Sequence, residues 1–233
     1  MPKTAEKTAT LESLIKTALE PVGTTMYIWG GGWQGEDDTS PPTSTYLGCL
    51  PQWKKFAQMQ NQNYDFEKHR YEYANGLDCS GYVGWVLYNT FEKESGLPGY
   101  VTLSTDTAES LAQRGWGKLI KNPKVFLPGD IVSMEGHVWI CLGTCRDGSV
   151  LLVHSSPPGV SLCGTEGAAT EIAREYMTEV HPQWQEKYPN RLVSDTYLDK
   201  VSLFRWSKDV MLDAEEFQKK SAEEIMGILS PDM

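Results

Sequence analysis

Positive charge is scarce in this sequence. Its 21 Lys and Arg stand against 31 Asp and Glu, a formal balance of −10. Nucleic-acid phosphates and anionic lipid both call for a basic surface, so neither is an expected partner. Long apolar runs are missing as well. None approaches the roughly 18 residues of a membrane span. No basic stretch followed by an apolar one opens the chain, so no secretory leader is visible. Cysteine is sparse: Cys49, Cys79, Cys141, Cys145 and Cys163, an odd number at irregular spacing. That argues against a disulfide framework, and mostly free thiols are expected. Such thiols suit a reducing compartment, or an exported protein that does not depend on bridges. Histidine is scarcer still, with His69, His137, His154 and His181 alone. Internal repeats and low-complexity linkers are absent too.

What is present reads as one ordered domain. The 233 residues are 40% hydrophobic and 22% charged, close to globular averages, which excludes wholesale disorder. TLESLIKTALE (residues 10–20) puts Leu11, Leu14, Ile15, Ala18 and Leu19 on one helical face, with Thr10 as cap and Pro21 and Gly23 as stop. Gly30 to Gly32 and Pro41-Pro42 mark a loop. Residues 51–75 are rich in aromatics and amides and read as a partly helical excursion. GLDCSGYVGWVLYN (residues 76–89) predicts a helix from Cys79 to about Phe91, with Val83, Val86 and Leu87 on an apolar face. Thr105–Arg114 predicts a short helix.

After residue 125 the pattern turns to β. VFLPGDIVSM, GHVWICLG, SVLLVHSS and KVSLFRW are short strand-like runs, the middle two joined by a tight TCRD turn. TEIAREYMTEVHPQWQEKYPN predicts a helix and then a loop. Asp213 with Glu216, and Ser221 with Glu224, resemble capping boxes. Helices first and an antiparallel sheet afterwards predict an α+β fold.

The chemistry concentrates at Cys79. A helix N-terminus carries about half a positive charge and free N–H groups, and both favour the nucleophilic thiolate. Gly81 and Gly84 each cost a helix roughly 1 kcal/mol relative to alanine. A close approach to a neighbouring element would explain them. If Gly143 faces Gly148 across a four-residue loop, His137 lies directly opposite His154, with Cβ atoms about 5 Å apart. His137 could then take the thiol proton and His154 could orient it, giving nucleophile, base and orienter. Plainer readings are a core cysteine, satisfied strand histidines, or a metal pair with Cys141 and Cys145. The Cys-x3-Cys spacing is weak for zinc.

Asp78-Cys79-Ser80-Gly81 at a helix start, Leu127-Pro128-Gly129-Asp130 before a strand, Gly136-His137-Val138 opening the next, and upstream Tyr27-Ile28-Trp29-Gly30-Gly31 together resemble the NlpC/P60 family. These are papain-like cysteine peptidases of cell-wall peptides. The resemblance runs in order from about residue 12 to 160. It implies a papain-like α+β fold, the nucleophile helix packing on a small antiparallel β-sheet. It implies Cys79 as nucleophile, His137 as base and His154 as orienting third member. Tyr27 would reach the site through its hydroxyl, Asp78 and Ser80 would hold the substrate's amine and backbone, and Ser104 and Thr105 would line the groove. Gly81 and Gly84 would let the helix approach the strand carrying His137.

The implied reaction is hydrolysis of γ-D-glutamyl–diamino acid amides in peptidoglycan stem peptides, with no metal or cofactor. The chain departs from the family in an insert at about 33–75 and a C-terminal extension at about 165–233 of a single 1–233 domain. The insert's rings would pack among themselves or wall the cleft. Alternatives are a papain-like amidase or acyltransferase on a non-wall substrate, and a non-catalytic wall-binding module. Wall substrates imply a place outside the membrane or in a phage particle, and the lack of a leader pattern leaves the cytosol open.

Overall fold

The computed structural model of the chain describes residues 9–35 and 39–229. Residues 1–8, 36–38 and 230–233 belong to the expected domain span, its insert and its extension, and they lie outside the described residues. In chain order come β1 (Ala9–Thr10), α1 (Leu11–Leu19), β2 (Met26–Tyr27), α2 (Pro51–Met59), β3 (Gly76–Leu77) and α3 (Cys79–Phe91). Next are α4 (Thr107–Gln113), β4 (Gly117–Lys121), β5 (Ile131–Met134), β6 (His137–Thr144), β7 (Val150–Ser156) and β8 (Gly159–Gly164). The chain continues through α5 (Gly167–Val180), α6 (Pro182–Lys187), β9 (Ser202–Trp206), β10 (Met211–Leu212) and α7 (Ala222–Leu229). All five cysteines are free.

Local chemistry explains the helix ends. Thr10 and Ser13 form a reciprocal cap on α1, and the Ser13 N–H donates to Thr10 Oγ1 at 3.0 Å. Ser221 and Glu224 do the same for α7, Glu224 accepting from the Ser221 N–H at 2.8 Å. Asp213 instead accepts from the N–H groups of Phe217 and Gln218. Its supposed partner Glu216 is left-handed at φ 54°, so no capping box forms there.

The architecture is α+β, but the sheet is neither small nor wholly antiparallel. Eight strands run in the order β3-β2-β8-β7-β6-β5-β9-β4, and β2 and β3 pair in parallel. β9 is the expected KVSLFRW run, whereas β4, β8 and the short β2 and β3 were not among the expected strands. The extension lays β9 between β5 and β4, and β8 follows β7 directly. GKLIK lacks the apolar alternation that marks a strand, GVSLCG carries it only across Val160, Ser161 and Leu162, and pairing on neighbours makes both strands.

The sheet has two apolar faces. One carries Val138, Ile140, Val153 and Leu162 and packs with α1 and α3. The other carries Val132, Trp139, Leu152 and Leu203, with Tyr197 and Leu198 of the extension packed against them.

The turn between β6 and β7 differs from expectation. Gly143 faces Leu151, not Gly148. Cys145 and Ser149 bond across a three-residue turn, the Cys145 N–H donating to Ser149 O at 2.7 Å. A bulge between Cys141 and Gly143 takes one residue back, so Ile140 faces Val153. The net slip is two residues. His154 therefore stands level with Trp139, and His137 is its diagonal neighbour on the same face. An even slip preserves the face, which an odd one would not.

Helix α3 is not amphipathic. Every residue from Cys79 to Tyr88 is buried, because loop, helix and sheet all close on it. Its glycines do not approach the His137 strand. A Cβ on Gly81 would lie 1.9 Å from Gly31 O, and one on Gly84 would lie 2.4 Å from Val101 Cγ2. The helix is thin there so that the 30–32 loop and the strap through Val101 can lie on it.

Candidate active site

The start of α3 is held by Asp78. Its Oδ1 accepts the Gly81 N–H at 2.6 Å and the Ser80 hydroxyl at 2.8 Å. Its Oδ2 accepts the Gly30 N–H at 3.2 Å. Ser80 in turn accepts the Trp33 indole N–H at 3.1 Å, and the Asp78 N–H donates to Gly31 O at 2.9 Å. Both side chains are thus buried and join the glycine loop to the helix. Burial raises the Asp78 carboxyl to about 6, against the lowering effect of these hydrogen bonds.

Cys79 follows at the first helical position, 7% exposed. Burial pushes its thiol up to about 12, and the neighbouring Asp78 charge adds to this. The N–H groups of Val138, Ser80 and Cys79 itself pull the other way. The expectation that the helix end makes a resting thiolate therefore does not hold. Desolvation outweighs the helix N-terminus, and the resting group is a thiol. The Val138 N–H that acts on this thiol belongs to the start of β6, next in sequence to His137. No hydrogen bond joins Cys79 to His137, whose pKa responds to burial alone.

The histidines do meet. His137 Nε2 lies 3.0 Å from His154 Nδ1, with ring centroids 5.1 Å apart. His137 heads β6 and stays partly exposed, while His154 is 4% exposed. Burial lowers His137 to about 4. His154 is lowered well below 6.5, first by burial and then by the charges of His137 and Arg191. Both rings are neutral near pH 7. His154 also lines a cavity of about 440 Å³ with Ser156, Ser161, Cys163, Arg191 and Tyr197.

Tyr27 lies on β2, paired with Leu77 two residues before Cys79. Burial holds its phenol protonated, and the neighbouring Cys79 and Asp78 groups push in the same direction. The insert holds it in place. Phe66 packs edge-on at 5.4 Å, and the Tyr64 hydroxyl donates to Tyr27 O at 2.6 Å. Trp53 is fully buried against Trp85 of α3. Trp53 and Phe56 of the insert are thus core packing, while Tyr71 is exposed.

Ser104 and Thr105 sit in the turn before α4, which begins at Thr107 rather than at Thr105. Neither is hydrogen-bonded to the Cys79 cluster. His69 stacks on Tyr64, and His181 packs over Gly23, so neither joins the site.

Tyr197 was not foreseen. It comes from a single helical turn, Asp195–Leu198, in the extension. Its hydroxyl lies 3.3 Å from His154 Nδ1, and its ring centroid is 5.4 Å from that of His137. Nothing local in SDTYLD marks this tyrosine as different from the other ten. Among the described residues no group of three His, Cys, Asp or Glu side chains could hold a metal ion, and Cys141 and Cys145 are buried thiols.

No family model, curated protein or solved structure matches the chain.

Proposed function

We propose that the protein is a papain-like cysteine peptidase of the NlpC/P60 kind, with Cys79 as nucleophile, His137 as base and His154 as orienter. The observation that carries the reading is the His137–His154 pair, 3.0 Å apart, at the start of the strand whose Val138 N–H bears on the Cys79 sulfur. A thiol at a helix N-terminus, a neutral imidazole at the head of β6, and a second imidazole on one of its nitrogens are the parts acyl transfer needs.

Each part has a defined task. His137 takes the thiol proton as Cys79 Sγ attacks the amide carbonyl. The oxyanion formed is met by the Cys79 N–H, one of the unpaired donors of the first helical turn. His137 then gives its proton to the leaving amine, and a thioester remains on Cys79. Water, deprotonated by His137, hydrolyses it to the free acid and restores the thiol. A neutral resting pair means the proton moves during attack, not before it.

The substrate we assign is a peptidoglycan stem peptide, cut between γ-D-glutamate and the diamino acid. Mass spectrometry of material released from purified peptidoglycan tests this. New fragments with a free diamino-acid amine are expected. Acyl transfer to another amine would point to an acyltransferase. No new fragments at all, in enzyme that hydrolyses other amides, would remove the wall assignment.

A further inference from the structure

The pair His137–His154 has two possible proton arrangements, and only one makes His137 a base. Its Nε2 faces His154, so Nδ1 is the nitrogen left for the thiol. Nδ1 can accept a proton only if the neutral ring carries its hydrogen on Nε2. That hydrogen must then be donated to His154 Nδ1, which must be a lone pair. If His154 instead carried its hydrogen on Nδ1, it would donate to His137 Nε2, and His137 would hold its hydrogen on the wrong nitrogen.

A second group reaches the same atom. The Tyr197 hydroxyl lies 3.3 Å from His154 Nδ1. Its ring is fixed by three neighbours, with centroids 5.4 Å from His137, 5.7 Å from His154 and 6.4 Å from Trp139. The turn that carries it is capped, Ser194 Oγ accepting the Thr196 N–H. Burial keeps this phenol protonated, so it has a hydrogen to give. His154 Nε2 makes no hydrogen bond within the described residues, and its ring lines the cavity. The pair alone therefore does not choose between the two tautomers.

We propose that Tyr197 is a positioning residue: it donates its hydroxyl hydrogen to His154 Nδ1, holds that nitrogen as an acceptor, and so keeps His137 Nδ1 free to take the thiol proton. The proposal rests on the peptidase reading for its consequence, but the tautomer itself does not depend on any substrate. It gives the C-terminal extension a task at the reacting pair, 60 residues along the chain from His137 (a separation read from their numbers).

Nitrogen-15 spectra of the imidazoles in the full chain test it. At neutral pH the wild-type protein should show His154 with Nε2 protonated and Nδ1 bare. Tyr197→Phe keeps the ring and removes only the hydroxyl, and it should move His154 measurably toward the Nδ1-protonated form. If stem-peptide hydrolysis is present, kcat should fall about tenfold in Tyr197→Phe with KM unchanged, the size of one lost hydrogen bond. A wild-type His154 protonated on Nδ1, or identical spectra for the two proteins, overturns the proposal. Absence of hydrolysis in both proteins with the spectral shift present overturns the peptidase reading and leaves the tautomer selection standing.

Discussion

A thiol raised to about 12 and an imidazole lowered to about 4 do not form a resting ion pair at pH 7. The sign of each shift follows from burial, which disfavours the charged form of either group. Cys79 should therefore alkylate with iodoacetamide slowly at neutral pH, its rate rising about tenfold per pH unit between 6 and 9, as a thiol of high pKa does. Mapping the adduct by mass spectrometry separates Cys79 from exposed Cys49. A rate that stays flat from pH 5 to 8 would mean a preformed thiolate and would contradict this picture. If His137 is the base, as proposed, the lowered value places the acid limb of activity near pH 4, because the ring can accept a proton only while neutral. Activity should thus persist below pH 6 and vanish as pH falls through the His137 value.

At the scale of elements, the costly glycines of α3 have a different reason from the one the sequence suggested. Gly81 lets Gly31 and Gly32 lie on the helix start, where the loop also bonds Asp78. Gly81→Ala should cost about 1–3 kcal/mol, the usual range for overpacking, and should shift the Asp78–Ser80–Trp33 network. Urea unfolding measures the cost, and a variant as stable as wild type would contradict the close-contact account. The existence of α1, α3 and the β6–β7 hairpin was legible, because each has a cap, a turn or a local apolar pattern. The hairpin register was not. A three-residue turn and a bulge moved it in opposite directions, and neither leaves a mark in TCRDGS. The shared face of His137 and His154 survived because the net slip was even.

For the whole molecule, the extension is part of the sheet and not an appendage. Arg205 of β9 makes a two-pronged pair with Asp130, Nε to Oδ1 at 2.9 Å and Nη2 to Oδ2 at 2.6 Å. Asp130 is fully buried, and Trp206 Nε1 donates to Gly129 O at 2.9 Å. The Leu-Pro-Gly-Asp turn before β5 is thus where the extension is fastened. Arg205→Ala would leave a buried carboxylate without its partner and should destabilise the fold by about 3–5 kcal/mol. Denaturant titration showing less than about 1 kcal/mol would mean that the pair does not hold β9 in place. Such long-range joints were invisible in the sequence. So was Tyr197, because tertiary contact alone brings 194–198 over the histidines. The meeting of His137 and His154 was legible because both lie on one hairpin, at positions of the same face.

The central claim is that Cys79 attacks an amide with His137 as its base. The direct measurement is hydrolysis of a defined stem tetrapeptide by the wild-type protein, Cys79→Ala and His137→Ala, each checked for folding. The account predicts cleavage at the γ-D-glutamyl bond by wild type and a loss of at least about a thousandfold in both variants, the scale seen when a nucleophile or base is removed. Cleavage by Cys79→Ala at the wild-type rate would contradict it.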